Sequence, residues 1–224
     1  MKCVQAVTKC CVWLILALLV IPPDALPADN KADEFDPPLP GLYMVHKRGF
    51  TGRKTIGEME SSVQGSRTRS MDSLGSAYIA LGRWEDAVNM FEQSLRKSDQ
   101  NTAARHNLGI AYTYVKSYKF AVQSLESAAD RDKYNPDIKI NLGIALLYAG
   151  KLDESIEALE KSLKKKPRNA RVAHFYLMLG YYYKEDYKNV EEHASKVRRF
   201  GEDEHKKLLQ QVRRQAQRKL RTQK

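Results

Sequence analysis

The sequence of 224 residues predicts an all-α fold, a solenoid of stacked helix-turn-helix units that ends in a capping helix. Three observations predict it. The same short pattern returns after about 34 residues, each unit carries apolar residues at the spacing of two amphipathic helices, and an asparagine recurs at the start of successive units. Because one helix pair cannot bury its own apolar face, we expect the units to stack on one another over residues 67–200.

The period is most visible in a leucine followed by a glycine. The pair occurs at Leu74-Gly75, Leu108-Gly109 and Leu142-Gly143, and a further copy, Leu179-Gly180, comes three residues late. The second helix of each unit repeats small and apolar residues at Ala87, Ala121 and Ser155 and at Phe91, Leu125 and Leu159. Glycine inside a helix costs about 1 kcal/mol relative to alanine, so we expect each glycine to lie where a neighbouring helix comes very close.

Asparagine marks the boundaries between units. Asn101, Asn135 and Asn169 follow the same period, and each stands just before a predicted helix. A side-chain oxygen at this position can accept a hydrogen bond from a free amide of the first helical turn. We therefore expect all three asparagines to cap helices, with Pro136 in the first turn of the third unit.

This pattern resembles the tetratricopeptide repeat family. In that family the leucine–glycine pair is followed by a tyrosine, which is present at Tyr78 and Tyr112 and replaced by Leu146, and Pro167 matches the closing proline. The resemblance implies three full repeats, a divergent fourth repeat whose turn is about two residues short, and binding of proteins or peptides. The full repeats are expected at 68–101, 102–135 and 136–169.

The resemblance also implies which residues line the concave inner wall of the array, because in this family the first helix of each repeat supplies them. We call the following twelve residues the inner wall: His106, Asn107, Ile110, Thr113, Tyr114, Ile140, Asn141, Ile144, Leu147, Tyr148, Leu177 and Tyr181. Capture of a C-terminal carboxylate is not expected, since Asp72 and Ser76 stand where family members that do this have lysine and asparagine.

The wall becomes more apolar and aromatic along the chain, which favours an amphipathic helix or an apolar extended segment as ligand. A second alternative stays open. The chain's own residues 39–45, or its C-terminal helix, could fill the wall, whose residues would then be part of the core.

Residues 1–28 have the features of a secretory signal peptide. Lys2 and Lys9 accompany the apolar run at 10–21, and the small residue Ala28 follows. The run is shorter than the roughly 20 residues that a membrane-spanning helix needs. We therefore expect an exported protein, periplasmic or secreted, with an uncleaved N-terminal membrane anchor as the alternative.

Residues 29–66 are predicted to be an extended or disordered linker arm, because prolines cluster near their start and no lasting helical or strand period follows. Leu42, Tyr43, Met44 and Val45 form a short apolar run within this arm. Three alternatives are open for this run. It could form an edge strand, pack on the repeats, or bind a partner.

The formal net charge of +11 is concentrated near the C-terminus. Residues 164–224 contain eighteen basic and seven acidic residues, whereas residues 67–163 contain thirteen of each. Residues 201–224 are predicted to form a basic helix, since Leu208, Leu209, Val212, Ala216 and Leu220 share one face. Capping the last repeat is one role for this helix. Contact with an anionic membrane or polyanion is another, and its candidate residues are Arg213, Arg214, Arg218, Lys219 and Arg221.

No catalytic, cofactor or metal site is predicted. The five histidines are scattered, and no two of them have the spacing of a helical zinc site. All three cysteines, Cys3, Cys10 and Cys11, lie in the segment that cleavage would remove. No phosphate-binding glycine loop or nucleophile elbow is present. Nucleic acid is not an expected partner, because no nucleic-acid-binding motif occurs.

Taken together, these patterns predict an exported, non-catalytic adaptor that binds a protein or peptide in its groove and helps assemble an envelope or secreted complex. The alternative is a peripheral binder of anionic surfaces that uses the basic C-terminal helix.

Overall fold

The structure, a computed structural model, describes Ser61, residues 68–197 and residues 203–222. The described residues form nine helices and no strand. The predicted signal peptide, and the predicted linker arm except for Ser61, lie outside the described residues. The helices are α1 (Thr68–Ala80), α2 (Trp84–Lys97), α3 (Thr102–Tyr114), α4 (Tyr118–Arg131), α5 (Pro136–Tyr148), α6 (Leu152–Leu163), α7 (Ala170–Tyr183), α8 (Tyr187–Ser195) and α9 (Asp203–Thr222).

The helices pack in the order of the chain, as a solenoid requires. Each helix from α1 to α8 packs on the next one, and α9 packs on α8 and also touches α7. This arrangement confirms the all-α solenoid of three repeats, a divergent fourth repeat and a capping helix. No helix within the described ranges is long and apolar enough to cross a membrane.

The buried apolar residues form three clusters along the array. The first joins α1, α2 and α3 around Phe91, and the second joins α4, α5 and α6 around Leu125. The third and largest runs from Ile110 in α3 to Ala216 in α9 and includes the fully buried Tyr176. The core is therefore shared between successive repeats, and the cluster with the most buried residues lies toward the C-terminal end.

The leucine–glycine pairs bring the two helices of each repeat into close contact, as expected. A Cβ atom at Gly109 would lie 2.5 Å from Leu125 Cγ, and one at Gly143 would lie 2.5 Å from Leu159 Cγ. Gly75 is similarly crowded by the ring of Phe91. Glycine is required here because the apolar residue of the second helix occupies the space of a side chain.

The fourth repeat differs from its prediction. Its first helix begins at Ala170, one period after Pro136, so the helix itself is not late. Gly180 faces Ile156 of the third repeat, at 3.1 Å from a Cβ position, and is therefore not the counterpart of Gly143. The predicted shortening of the turn was wrong, since α7 and α8 are joined by three residues as in the other repeats. The shortening falls on α8, which has nine residues.

Two of the three predicted asparagine caps are confirmed. Asn101 accepts a hydrogen bond from the amide of Ala104 at 3.1 Å, and Asn135 accepts one from the amide of Asp137 at 3.0 Å. The prediction for Asn169 was wrong, because its side chain makes no cap bond. Its amide nitrogen instead donates to Asp137 Oδ1 at 3.1 Å, which ties the fourth repeat to the first helix of the third.

The turns inside the repeats share a left-handed residue. Gly82 and Gly150 have φ angles of 71° and 76°, and Lys116 and Glu185 hold the same place with φ angles of 58° and 59°. A residue with a Cβ atom pays roughly 1–2 kcal/mol for this conformation. Two of the four turns are therefore built with strained residues.

We predict that Gly143→Ala and Gly150→Ala both lower the free energy of unfolding, for different reasons. Gly143 has normal helical geometry, but no space is left for an alanine side chain. We therefore expect Gly143→Ala to lower the free energy of unfolding by about 1–2 kcal/mol after the gain in helix propensity is subtracted. Gly150→Ala has nothing within 4 Å of its Cβ position but requires a left-handed alanine, and we expect a loss of about 1 kcal/mol. Urea unfolding followed by circular dichroism measures both.

The Leu159→Ala background separates the two causes. Removing the leucine side chain makes room at Gly143, so Gly143→Ala should lose most of its cost there, whereas Gly150→Ala should cost as much as before. Equal costs of Gly143→Ala in both backgrounds would contradict the steric explanation.

Candidate functional site

The inner wall lies along α3, α5 and α7, and most of it is buried. Ten of its twelve residues are buried, and Tyr114 and Tyr181 are half-buried. Ile140 is 2% exposed and Ile144 is fully inaccessible. The wall therefore has the accessibility of a protein interior.

A polar pair in the wall joins two repeats. Asn141 Nδ2 of α5 lies 2.8 Å from His106 Nε2 of α3, and both side chains are buried. The amide nitrogen can only donate, so Nε2 accepts and the imidazole proton is on Nδ1. Asn141, one of the predicted wall residues, is thus already bonded to the neighbouring repeat through its amide nitrogen.

Aromatic stacking also joins successive repeats at the wall, and it was not foreseen from the sequence. The ring of Trp84 at the start of α2 stacks on Tyr114 at the end of α3, with centroids 3.6 Å apart and planes within 2°. Tyr118 and Tyr148 repeat this arrangement one unit later, with centroids 5.6 Å apart and planes 13° apart. The sequence does contain a pattern that could have revealed these stacks. Trp84 and Tyr118 are one repeat period apart, and so are Tyr114 and Tyr148.

Burial affects the tyrosines at the C-terminal end of the wall. It raises the pKa of Tyr148 well above its usual value, with neighbouring tyrosines adding to the effect, and it also raises the pKa of Tyr176. Tyr181 donates a hydrogen bond to Glu160 Oε1 at 2.6 Å. Burial and this carboxylate raise the pKa of Tyr181. These phenols are therefore neutral at physiological pH.

The fourth repeat contains a histidine pair that the sequence spacing did not reveal. His174 Nδ1 of α7 lies 2.9 Å from His193 Nδ1 of α8, and the ring of Tyr181 stacks on His193. Burial, His193 and then Lys196 lower the pKa of His174 to about 4. Burial and then Lys196 lower the pKa of His193. One ring must donate and the other accept, so the bond is lost when both imidazoles are protonated.

The described residues contain no group of three or more histidine, cysteine, aspartate and glutamate side chains that could hold a metal ion. The histidine pair is accompanied by Glu160, Glu192 and Lys196, which affect its protonation. Its arrangement is that of a hydrogen bond between two helices.

The basic helix α9 is fixed to the fourth repeat by both apolar and charged contacts. Val212 and Ala216 are buried in the last core cluster. Arg213 Nε lies 2.8 and 3.1 Å from the two carboxylate oxygens of Glu191, and this pair lowers the pKa of Glu191 and raises that of Arg213. Tyr182 donates to Gln215 at 2.6 Å. Capping the array is thus the role of this face.

The five residues predicted to contact an anionic surface divide into two kinds. Arg213 is paired with Glu191 of α8 in a partly exposed contact, so its charge is already matched. The other four are exposed: Arg214, Arg218, Lys219 and Arg221. Of these, Arg214, Arg218 and Arg221 lie on the face of α9 opposite its apolar contacts, and Lys219 lies beside the apolar face.

Comparison with known proteins agrees with this architecture. Profiles of the tetratricopeptide repeat family match residues 70–103 and 115–178. The structure of MamA MSR-1 is 22% identical, with a TM-score of 0.55 over 79% of this chain and 94% of that chain. MamA from Desulfovibrio magneticus RS-1 is 24% identical, with a TM-score of 0.59 over 63% of this chain and 81% of that chain.

YrrB, a TPR protein with an unusual peptide-binding site, is 20% identical, with a TM-score of 0.60 over 71% of this chain and 81% of that chain. At these identities the likeness to MamA and YrrB shows the fold. A search among curated proteins gave no match.

We predict that the histidine pair makes the fourth repeat sensitive to acid. A histidine whose pKa falls from 6.5 to about 4 on folding stabilises the protein above pH 6.5, and this contribution disappears as the pH falls from 6.5 toward 4. The midpoint of urea unfolding should therefore fall over this range, more steeply for the natural protein than for His174→Gln, which stays neutral. Parallel pH profiles for the two proteins would contradict the prediction.

Proposed function

Because the chain is a tetratricopeptide repeat protein, we propose that it is an exported, non-catalytic adaptor whose inner wall holds a helix or extended segment of another protein. The repeat fold supports a role in protein–protein interaction. YrrB, which shares the fold, has a peptide-binding site, and this supports a protein or peptide partner. Holding such a segment would help to assemble an envelope or secreted complex.

The chemistry of the inner wall carries this proposal. Its central residues Ile110, Ile140 and Ile144 are apolar, and the wall carries no acidic or basic side chain other than His106. The polar side chains of Asn141 and His106 are buried and bonded to each other, so they add no unpaired polar atom to this apolar surface through that contact. An apolar segment with few charges is the ligand that fits this surface.

The proposal of export is supported by residues 1–28. Their basic start, short apolar run and small residue at Ala28 are typical of a signal peptide. Loss of all three cysteines on cleavage would suit an oxidising compartment, because no thiol would remain to form a wrong disulfide. A non-catalytic role is supported by the burial and mutual bonding of the polar side chains in the wall.

We predict that Tyr114→Ala weakens ligand binding at least ten-fold, since Tyr114 belongs to the inner wall and its half-buried side chain is accessible to a ligand. The probe is a phage-displayed library of short random peptides selected on the full chain, followed by fluorescence titration of a selected peptide. Circular dichroism would establish that the variant is folded at the temperature of the titration.

Tyr112→Ala is the matched control for this titration. Tyr112 is half-buried like Tyr114 and lies in the same helix, but it is not part of the inner wall, so its truncation should cost similar stability. Selected peptides should bind Tyr112→Ala as tightly as the natural chain. Equal weakening by both variants would mean that destabilisation, and not lost contact, explains the effect.

A second candidate function is binding to an anionic surface through α9, and the exposed residues Arg214, Arg218, Lys219 and Arg221 of that helix favour it. Each Lys or Arg near an anionic membrane contributes about 1 kcal/mol, which falls off over the Debye length. The repeats would then serve as a spacer. The two candidates are compatible, because α9 caps the array through its opposite face.

We predict that Arg218→Gln/Arg221→Gln lowers binding to phosphatidylserine vesicles by about ten-fold or more at low salt. Co-sedimentation with vesicles measures this. Lys119→Gln/Lys133→Gln removes the same charge from exposed positions outside α9 and should leave binding nearly unchanged. Equal losses would show that only net charge matters, and binding that resists high salt would argue against an electrostatic contact.

A further inference from the structure

The turn between the third and fourth repeats carries a concentrated positive charge. Residues 164–171 contain five basic residues and no acidic one, whereas residues 67–163 contain equal numbers of both. Lys165, Lys166 and Arg168 of this α6–α7 turn are exposed. The turn joins the ends of two helices, so this charge lies outside both the inner wall and α9.

An exposed aromatic ring lies beside this turn. Tyr134 of the α4–α5 turn is 81% exposed, the highest value among the large hydrophobic side chains of the described residues. Lys165 Nζ lies over the Tyr134 ring, 5.5 Å from its centroid, so the two turns are side by side. Tyrosine and arginine are the side chains that binding surfaces favour, and here both are accessible in one place.

Lys166 holds a backbone conformation that glycine would adopt more easily. Its φ angle of 49° lies in the left-handed region, and its amide donates to the carbonyl of Leu163 at 3.0 Å where α6 ends. Glycine has no Cβ atom and adopts this conformation without steric cost. The turn thus carries a charged side chain where its backbone favours none, and strain of this kind is concentrated at functional sites.

We propose that Tyr134, Lys165, Lys166 and Arg168, which we call the turn patch, bind an acidic, extended segment of a partner protein. The carboxylates of such a segment would pair with the three cations, and its backbone would cover the ring of Tyr134. The turn patch is a site beyond the proposed function, because it lies at helix ends and not on the inner wall. It neither needs nor excludes a ligand in the wall.

An anionic membrane fits the turn patch less well than an acidic segment does. The adjoining residues 130–137 contain three acidic and two basic residues, so a flat anionic surface on this edge would also approach carboxylates. The exposed arginines of α9 lie near the other end of α7, since Tyr182 bonds Gln215 there and Arg218 and Arg221 follow. Helix α7 has 14 residues and is about 21 Å long. A narrow acidic segment can follow the α6–α7 turn alone.

Fluorescence anisotropy with a labelled peptide of alternating glutamate and glycine tests the turn patch on the full chain. The buffer has an ionic strength of about 0.1 M, so that charges more than about 10 Å away are screened. We expect this peptide to bind and a peptide of alternating glutamine and glycine not to bind. Absence of binding by the acidic peptide would overturn the proposal.

Two triple variants distinguish the turn patch from net charge. Lys165→Gln/Lys166→Gln/Arg168→Gln should weaken binding of the acidic peptide about ten-fold or more. Arg214→Gln/Arg218→Gln/Arg221→Gln removes the same charge from exposed positions on α9 and should change the affinity less than about two-fold. Equal losses would mean that only net charge matters, and the site would be rejected.

Two single substitutions separate binding from folding. Lys166→Gly relieves the left-handed strain, so it should weaken peptide binding about two-fold or more while the midpoint of urea unfolding does not fall. Tyr134→Ala keeps the net charge and should weaken binding by a similar factor, because the exposed ring is lost. Unchanged affinity in both variants would contradict the assignment.

Crosslinking and vesicles identify the place and the class of partner. An acidic peptide with p-benzoylphenylalanine at its centre should crosslink to the α4–α5 and α6–α7 turns, and crosslinks confined to the inner wall or to α9 would overturn the proposal. So would loss of phosphatidylserine vesicle binding in the first triple variant with full retention of peptide binding, since a membrane would then be the partner. If peptides selected on the inner wall never appear, the proposed adaptor function fails and the turn patch stands.

Discussion

The close approach of two helices at a glycine is the constraint on which the array depends. At Gly109 and Gly143 the first helix lies so near the second that a leucine side chain fills the place of a Cβ atom. This contact sets the spacing inside each of the first three repeats, and the shared core clusters then set the spacing between repeats. The same contact fixes the rotation of the first helix about its own axis. It therefore decides which residues of that helix line the inner wall.

Contacts between repeats are made by polar and aromatic side chains, whereas contacts inside a repeat are made by close approach at a glycine. The stacked pairs Trp84–Tyr114 and Tyr118–Tyr148, and the buried pair Asn141–His106, each link elements of successive units. The fourth repeat lacks the glycine contact and is fixed instead by the histidine pair, by Asn169 and by the docking of α9. The contacts that hold the array together thus change toward its C-terminal end, where the largest core cluster lies.

Much of the fold could be predicted from the sequence, because the same contact between two helices recurs in successive repeats. The residues that make this contact therefore recur with the repeat period. The leucine–glycine pairs predicted close contact, and the structure has it at three of the four. Gly180 and Asn169 were misread since the same residue type serves a different neighbour in the divergent repeat. The histidine pair could not be foreseen, because its two members approach each other only through the angle between α7 and α8. The burial of the wall likewise depends on tertiary contacts that no local pattern encodes.

The stack of Trp84 on Tyr114 has a spectroscopic consequence. Trp84 is the sole tryptophan of the described residues, and it lies at the junction of the first and second repeats. In a chain without residues 1–28, and so without Trp13, tryptophan emission reports separation of that junction, whereas tyrosines lie in all four repeats and report on the array as a whole. Comparing the two signals in one sample therefore shows whether the first junction separates before the rest of the array melts.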